Sequence, residues 1–519
     1  MKKRYGWILG MIVVYLLLVL LLSIVEARQP VSETCNQSDV TIHTFSDALW
    51  YSLITISTVG YGDMTPVTFG GRLIGIVFVF CSAGVLAAII GFGLRLIGGA
   101  LIPRMRLRFG RKQNWYVFSD CSADSYTLAE ALYRDRPDCM LIFPPGGPCS
   151  FETDNVIRIS IDSAALIRLR KDHHGICFFA MAKDTLRNYA LSLDAAEHGI
   201  SSYCMGDICP ETVPQQLQLF SFTEAMSRHY WNTHPLLSAE RCVVLIGCGK
   251  AGLALLERAL LNNVYITERG IEYHVFGESA SFCDLHPEIV RALDGTLPGS
   301  DLLIFHSECW TSARELLQRA DRILLCADDD SENLAACDVL NSWYVKRAAV
   351  HLRLNLPLRG FVCFGEKVSF LTPENVMKED LNRRAMLMND IYNAGSPTPV
   401  TWHELSPFLR QSNIAAADHL LVKGRYLLQD ETLTTLTRED CARAYARYRN
   451  IYPEQAELLL EMEHRRWIRF YQMYNWRYAP ERNNDLRFHP LLLPFAQLSK
   501  TDQLKDAYAW EMFGRLAEM

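Results

Sequence analysis

Residues Thr58 to Asp63, TVGYGD, form a short glycine-containing stretch whose chemistry suits a passage for ions. Successive backbone carbonyl oxygens, together with the Thr58 hydroxyl, can replace the water that a cation loses on entering a narrow path. Gly60 and Gly62 can adopt backbone angles that are closed to other residues, so the carbonyls can point the same way. Irregular backbone of this kind is tolerated at membrane depth only where protein buries it or where it lines a cavity. A glycine-rich re-entrant turn in some other kind of membrane protein is the alternative.

Two apolar runs flank this stretch, as a path through a bilayer requires. They cover residues 7–25 and about 71–98, and each is long enough to cross a membrane as a helix. Basic residues precede the first run and follow the second: Lys2, Lys3, Arg4, Arg104, Arg106, Arg108, Arg111 and Lys112. This charge pattern predicts that both termini are cytoplasmic and that the segment between the runs faces outward. A signal peptide is the alternative for the first run, but no convincing cleavage site follows it.

The segment from 45 to 63 resembles the pore loop of potassium channels. An apolar, aromatic stretch at 45–57 leads into the complete filter signature, Thr58, Val59, Gly60, Tyr61, Gly62 and Asp63. The resemblance implies that K+ is the permeant ion and that the carbonyls of Thr58, Val59, Gly60 and Tyr61 coordinate it. One chain supplies one filter strand and a ring needs four, so a homotetramer in the plasma (inner) membrane is expected. Gly84 is expected to be the gating hinge, with close helix packing as the alternative.

The remaining chain has the composition of a soluble protein. The sequence has 519 residues and a formal net charge of -6, which argues against non-specific binding of nucleic acid. Its 16 cysteines are scattered without CxxC pairs, so we expect reduced, structural thiols. Only Cys35 falls in the predicted external loop.

Strands and helices alternate from Asn114 onward, which predicts doubly wound parallel sheets. Expected strands are 114–119, 139–143, 156–161 and 176–181 in a first copy, then 243–246, 273–276, 302–305 and 323–326 in a second. Two such units after a two-span pore resemble the paired RCK domains that regulate potassium conductance. The expected fold is a membrane α-helical two-span pore module (1–110), two α/β Rossmann-like RCK domains (114–238 and 241–395) and a mainly α-helical domain (400–519).

The second copy carries a dinucleotide-binding fingerprint, GCGKAG, directly after its first strand. The predicted binding residues for NAD(H) or an adenine nucleotide are Gly247, Gly249, Lys250, Gly252 and Glu278. The glycines allow a tight turn and close phosphate approach at a helix N-terminus, and Glu278 is placed to hold ribose hydroxyls. A glycine turn kept for packing, with no ligand, is the alternative.

Acidic residues mark two further turns. In the first copy, Asp120 and Asp124 stand where a phosphate would lie, so we expect no dinucleotide there. In the second copy, Asp328, Asp329 and Asp330 end a strand. We expect them to form a polar helix start, with a ligand contact as the alternative.

Residues 400–519 resemble the RyR domain, the repeat module of ryanodine receptors. The resemblance rests on the EHRRW segment at 463–467, the NWRY segment at 475–478 and His489-Pro490. It departs where Asn475 and Ala479 stand in place of glycines usual in that family. The ligand candidates that it implies, for a stacked base and its phosphates, are Asn413, His464, Arg465, Trp467, Trp476, Tyr478 and Arg482. A purely structural aromatic core is the alternative.

These patterns predict a potassium-selective channel, not an enzyme, that is gated by a nucleotide or dinucleotide bound to the RCK ring, the RyR-type domain, or both. The predicted partners are the lipid bilayer, three further copies of the chain and a small nucleotide, with no nucleic acid. A membrane-tethered NAD-dependent oxidoreductase is one alternative, although no proton donor and substrate pocket are evident. A nucleotide-signal sensor in a stress or defence system is another.

Overall fold

The structure is a computed structural model of the chain. It describes residues 2–28, 42–96, 102–109, 113–146, 153–160, 162–170, 175–208, 210, 212–265, 270–295, 300–342, 348–394 and 396–518. Cys35 and the last two residues of the second predicted span lie outside these ranges. The chain divides into two compact units, Met1–Phe109 and Gly110–Met519.

The first unit is helical. Its helices are α1 (Lys2–Ala27), α2 (Phe45–Ile56), α3 (Phe69–Leu96) and α4 (Ile102–Phe109). Helix α2 packs against both α1 and α3, around a small apolar core: Val19, Leu22, Ile42, Ala48, Ile74 and Phe78. Helices α1 and α3 thus coincide with the two apolar runs. Within the residues that the structure describes, no helix is both long enough and apolar enough to cross a membrane.

A buried carboxylate joins the end of α1 to the start of α3. Glu26 accepts hydrogen bonds from the backbone N–H groups of Val67 and Thr68, both at 3.1 Å, and from the Thr68 hydroxyl. Gly71 leaves room for it, because a Cβ there would lie 1.8 Å from a carboxylate oxygen of Glu26. The carboxylate therefore satisfies N–H groups at the start of α3 that have no partner within the helix.

The second unit begins with a parallel six-stranded sheet. Its strands are β1 (Trp115–Phe118), β2 (Met140–Phe143), β3 (Val156–Arg158), β4 (Ile176–Ala180), β5 (Ser201–Met205) and β6 (Leu217–Phe220). The helices are α5 (Ala123–Asp135), α6 (Ser163–Arg170), α7 (Thr185–Glu197) and α8 (Phe222–Thr233). The strand order β3-β2-β1-β4-β5-β6 is that of the Rossmann fold.

A second parallel sheet repeats this order. Its strands are β7 (Cys242–Ile246), β8 (Glu272–Phe276), β9 (Leu302–His306), β10 (Arg322–Leu325), β11 (Ala349–Arg353) and β12 (Val362–Phe364). The helices are α9 (Lys250–Asn262), α10 (Ala280–Leu285), α11 (Pro287–Ala292), α12 (Arg314–Arg319), α13 (Asp330–Ser342), α14 (Lys367–Phe370), α15 (Pro373–Met377) and α16 (Arg383–Asn393). All eight strands predicted from the sequence are present, and β5, β6, β11 and β12 were not predicted.

The C-terminal part is mainly helical. It contains α17 (Pro407–Leu428), α18 (Arg438–Arg449), α19 (Pro453–Met473), α20 (Lys500–Leu504) and α21 (Tyr508–Glu518), with β13 (Arg477–Tyr478) and β14 (Phe488–His489). Helices α17 and α19 pack on α9, and Ala415, Phe470 and Met473 belong to the core of the second sheet. The region predicted as a separate domain thus shares its hydrophobic core with the second Rossmann-like sheet.

Candidate functional site

The filter segment follows a well-capped helix. Thr44 and Asp47 form a reciprocal capping box at the start of α2, which fixes where that helix begins. After its end, the N–H groups of Val59 and Gly60 both donate to the Ile54 carbonyl, at 3.0 and 3.1 Å. The chain therefore folds back on α2 at the start of the filter.

Every second residue from Thr58 to Gly62 has a left-handed backbone conformation. Gly60 and Gly62 have φ of +54° and +73°, the conformations for which glycine was expected. Thr58 also has a positive φ, +63°, which the sequence did not predict. A β-branched residue is strained there, at a cost of about 1–3 kcal/mol. Strain of this kind persists only where the surrounding contacts hold it.

Trp50 on α2 contacts the far end of the filter segment. Its indole Nε1 donates to the Asp63 carboxylate over 2.9 Å, and its ring lies parallel to that of Tyr61, with centroids 6.4 Å apart. Both ends of the glycine-containing segment are thus tied to α2. Tyr61 is nevertheless 69% exposed and Val59 52% exposed in the single chain.

Helix α3 runs as one element through Gly84. A Cβ added at Gly84 would meet no atom within 4 Å in this chain, so the glycine is not needed for packing within the first unit. The hinge assignment remains a prediction.

The glycine turn after β7 brings backbone segments of the chain close together. Gly247 has a φ of +108°, and a Cβ there would lie 2.4 Å from the backbone nitrogen of Ala327. A Cβ on Gly252 would lie 1.8 Å from the Gly247 carbonyl oxygen. Both glycines are therefore required by the backbone itself, whether or not a ligand binds.

A carboxylate from the chain occupies the N-terminus of α9. The two oxygens of Asp328 accept from the backbone nitrogens of Lys250 and Ala251, both at 2.9 Å. Gly249 permits this, because a Cβ there would lie 2.4 Å from an Asp328 oxygen. Among the three acids after β10, Asp328 thus acts at the start of α9, whereas we expected a role in the helix that follows it.

A cavity of about 870 Å³ opens at the carboxyl ends of β7, β8, β9 and β10; we call it the β7–β10 cavity. Its lining includes Gly247, Glu278, Phe305, Trp310 and Asn333. The volume lies within the range of small-molecule sites. Glu278 lines it at the end of β8, where a ribose-binding acid was predicted, and Gly247 lines it too, whereas Gly249, Lys250 and Gly252 do not.

A row of hydrogen-bonded side chains reaches this cavity. No pattern in the sequence predicted it. His274 Nδ1 lies 2.9 Å from His306 Nε2, and His306 Nδ1 lies 2.9 Å from Glu308. Glu272 and Cys242 lie beside His274, which gives a set of side chains able to hold a metal ion. Arg319 already pairs with Glu272 at 2.7 Å, so a cation is present at that position.

The acids of the first Rossmann-like sheet have internal partners. Asp120 accepts from the Ser122 N–H at 2.8 Å and the Ser125 hydroxyl at 2.9 Å. Asp124 pairs with Lys367 of α14, at 2.6 and 2.9 Å. These contacts support the expectation that this turn takes no phosphate, and they join the second Rossmann-like sheet to the first.

The aromatic candidates of the C-terminal part pack on one another. Trp467 lies 4.3 Å from Tyr471 and 4.9 Å from His489, measured between ring centroids. Trp476 is buried beside Tyr471, with the Arg482 guanidinium 6.0 Å from its ring centroid. This cluster is a small aromatic core with one cation on it.

The other candidates are placed around this core or away from it. Both ring nitrogens of the buried His464 are engaged, by the Leu493 carbonyl at 2.9 Å and Asp506 at 3.3 Å. Arg465 is exposed and pairs with Glu461, and Asn413 donates to Asn389 on α16. Tyr478 is exposed.

Asn475 adopts a left-handed backbone conformation that favours glycine. Its φ is +60°, and its side-chain amide donates to the Leu285 carbonyl at 2.7 Å. Asparagine tolerates the left-handed region when its side chain finds a local hydrogen bond. An asparagine is therefore compatible with this turn.

Comparison with known proteins relates the first unit to channels. Residues 7–97 match the ion channel family model Ion_trans_2. The chain is 34% identical over 94 residues to potassium voltage-gated channel subfamily KQT member 3 of Bos taurus, which is 18% of this chain and 11% of the relative. It is 48% identical over 56 residues to the Rattus norvegicus protein of the same name, covering 10% of this chain and 6% of the relative.

The chain thus spans about a tenth of the length of these relatives. A crystal structure of GsuK bound to ADP aligns with 81% of this chain and 98% of its own, at 14% identity and a TM-score of 0.32. That similarity is too low to support a statement about function. Residues 7–97 are thus similar to an ion channel family, and part of this segment is similar to potassium channels.

Proposed function

We propose that four copies of this chain form a potassium-selective channel gated by a ligand on its Rossmann-like domains. The observation that carries the proposal is the TVGYGD backbone after α2, with Gly60 and Gly62 at positive φ. The match of residues 7–97 to an ion channel family supports the same function. K+ is the permeant ion, and the carbonyls from Thr58 to Tyr61 coordinate it.

The exposure of the filter in one chain supports assembly. Gly60 and Gly62 face open space, and Val59 and Tyr61 are more than half exposed. Apolar side chains of α1 and α3 are also exposed, among them Val14, Leu17, Ile76 and Phe80. Contiguous apolar surface of this kind requires other subunits or lipid to cover it. We infer that four filter strands face one axis and that the first unit lies in a plasma membrane with both termini cytoplasmic.

Ligand binding to the β7–β10 cavity would bias the open and closed states of the pore. Glu278 lines this cavity. Its carboxylate is the proposed acceptor for ribose hydroxyls, so the nucleoside part of an adenine nucleotide is the proposed ligand. To shift a channel from 1% to 99% open, the ligand must favour one state by about 5.5 kcal/mol. Four equivalent sites would each supply about 1.4 kcal/mol.

The C-terminal part, from residue 400, is proposed as an RyR-type regulatory module. Its shared core with the second sheet supports coupling, because a change at α17 or α19 reaches α9 directly. Trp467 is half-buried and remains the proposed stacking residue for a base.

The conduction proposal is tested in proteoliposomes that contain the full-length protein. We expect K+ flux to exceed Na+ flux strongly, and we expect Gly60→Ala to abolish it. Alanine at a φ of +54° costs about 1–2 kcal/mol in each subunit. The matched control is Gly91→Ala in α3, where a Cβ meets no atom within 4 Å of the same chain. Equal K+ and Na+ flux, or a stable assembly of other than four subunits, would reject the proposal.

Ligand gating is tested by single-channel recording with adenosine, ADP and NAD on the cytoplasmic side. A change in open probability that Glu278→Gln removes would locate the effective site in the β7–β10 cavity. A response that Trp467→Ala removes would locate it in the C-terminal module. If no compound changes the open probability, gating by this class of ligand is wrong.

A further inference from the structure

The β7–β10 cavity is acidic. Three glutamates line it, Glu278, Glu308 and Glu332, and none of the described lining residues is a lysine or an arginine. Each phosphate of a bound dinucleotide would therefore approach carboxylates without a compensating cation. The three glutamates are exposed, so solvent weakens the repulsion between like charges at short range without removing it.

The helix N-terminus that usually binds a phosphate already binds a carboxylate of the chain. Backbone N–H groups at a helix N-terminus bind anions, and in α9 the N–H groups of Lys250 and Ala251 bind Asp328 at 2.9 Å each. The side-chain amine of Lys250 lies 3.7 Å from Asp207. A phosphate would have to displace one carboxylate and compete with another.

The loop that carries Asp328 is held from behind. Arg353, which is buried, donates to the carbonyls of Ala327 and Asp328, both at 3.0 Å, and pairs with Asp330 at 3.4 Å. Asn333 donates to the Ala327 carbonyl and accepts from the Ala327 N–H, both at 2.9 Å. Asp328 is therefore a fixed part of the fold, and withdrawing it would break several of these contacts.

The rest of the cavity suits an uncharged ring. Phe276, Phe305 and Trp310 contribute aromatic surface, and the glutamates offer acceptors for hydroxyl and amino donors. A ribonucleoside has these two features and no phosphate.

We propose that the β7–β10 cavity binds an uncharged ribonucleoside and that Asp328 excludes the phosphates that the glycine fingerprint predicts. The inference rests on the proposed role of this cavity as the ligand site. It reverses the expected order of affinity, because each added phosphate should weaken binding instead of strengthening it.

Isothermal titration calorimetry on the full-length protein in detergent tests this, with adenosine, AMP and ADP as probes. For the natural sequence we expect adenosine to bind at least about tenfold more tightly than ADP. Asp328→Ala should raise ADP affinity by about tenfold and leave adenosine affinity within about twofold. The matched control is Asp329→Asn, whose carboxylate accepts from Ser331 and not from α9; it should alter neither.

Retained adenosine binding by Asp328→Ala shows that the variant is folded. Glu278→Gln should weaken adenosine binding by about tenfold, which locates the site. The inference is overturned if ADP binds the natural sequence as tightly as adenosine, if adenosine fails to bind, or if Glu278→Gln has no effect. It is also overturned if Asp328→Ala leaves ADP affinity unchanged. These outcomes are independent of the K+ flux measurement, so the channel and its ligand class can fail separately.

Discussion

The indole nitrogen of Trp50 donates to the Asp63 carboxylate at 2.9 Å, and this bond joins α2 to the far end of the filter segment. The partners are 13 residues apart in sequence, with the strained Thr58 and both filter glycines between them. The bond therefore closes a short loop around these backbone conformations, which the proposed ion path needs.

Trp50→Phe should weaken this closure, because the ring remains while the N–H donor is lost. We expect the variant to lose about 1 kcal/mol of stability per chain, since the hydrogen bond has a charged acceptor but is exposed to solvent. The measurement is the temperature at which the oligomer dissociates in detergent at fixed K+ concentration. Phe45→Leu, an exposed ring on the same helix without this bond, is the control. Equal dissociation temperatures for Trp50→Phe and the natural protein would contradict the role assigned to the bond.

Glu463→Gln should destabilise the C-terminal part. Glu463 is buried between Lys423, at 2.6 Å, and Arg466, at 2.7 Å. Burial opposes its ionisation, but the charges of Arg466 and Lys423 outweigh burial and hold the Glu463 pKa below its usual range. Removing the carboxylate leaves two buried cations unpaired, which costs about 3–5 kcal/mol.

Hydrogen exchange of α17 and α19 measures this loss directly. Glu461→Gln is the matched control, two residues away on the same helix, where the partner Arg465 is 44% exposed. An exposed pair contributes at most about 1 kcal/mol, so exchange should barely change. Similar exchange rates in the two variants would show that the buried cluster does not stabilise these helices.

Acid should destabilise the Rossmann-like domains through His351. Burial first, and then the charge of Arg322, lower the pKa of His351 from 6.5 to about 3. His351 therefore binds a proton less readily in the folded protein than in the unfolded chain. The stability linked to its neutral form is fully present above about pH 6.5 and is lost progressively as the pH falls towards 3. Between pH 7.5 and 5.5 the loss is about 1.4 kcal/mol for this group.

His351→Asn should remove that part of the pH dependence. The amide oxygen can replace Nδ1 as the acceptor for the Tyr230 hydroxyl, which lies 2.7 Å away. Chemical denaturation at pH 7.5 and 5.5 measures the difference, with the exposed His198→Asn as control. If the variant loses as much stability as the natural protein over this interval, His351 is not the responsible group.

Cys309 should report occupancy of the β7–β10 cavity, which it lines. It is exposed, and hydrogen bonds from Thr311 lower its pKa. Burial, followed by the charges of Glu278 and Cys283, raises the pKa of Cys248 to about 12. At pH 7.5 iodoacetamide should therefore alkylate Cys309 at least about tenfold faster than Cys248.

Adenosine should slow the Cys309 reaction and leave other exposed thiols unaffected. Peptide mass spectrometry of the full-length protein follows each cysteine separately. Unchanged Cys309 labelling at saturating adenosine would mean that the ligand lies elsewhere.

The backbone conformation of residues 58–63 and the two Rossmann-like sheets could be predicted because their signals are local. The capping box at Thr44 and the positive φ at Gly60 and Gly62 follow from residues within a few positions. Buried parallel strands appear as short apolar runs, and the central runs, such as β1 and β7, were found. Strand β5 is partly exposed and mixed in composition, and β12 is partly exposed and only three residues long, so they were missed.

Residue types alone were enough to predict the positive φ of Gly60 and Gly62, two parallel sheets and a glycine turn after β7, because backbone conformation depends on neighbouring residues. The group that contacts this turn became known only from the three-dimensional fold. Asp328 reaches the nitrogens of Lys250 and Ala251 from 78 and 77 positions away, and Glu26 reaches Thr68 across 42. A carboxylate binds whichever unpaired N–H groups the fold brings near it, and no local pattern in a single sequence reveals that pairing.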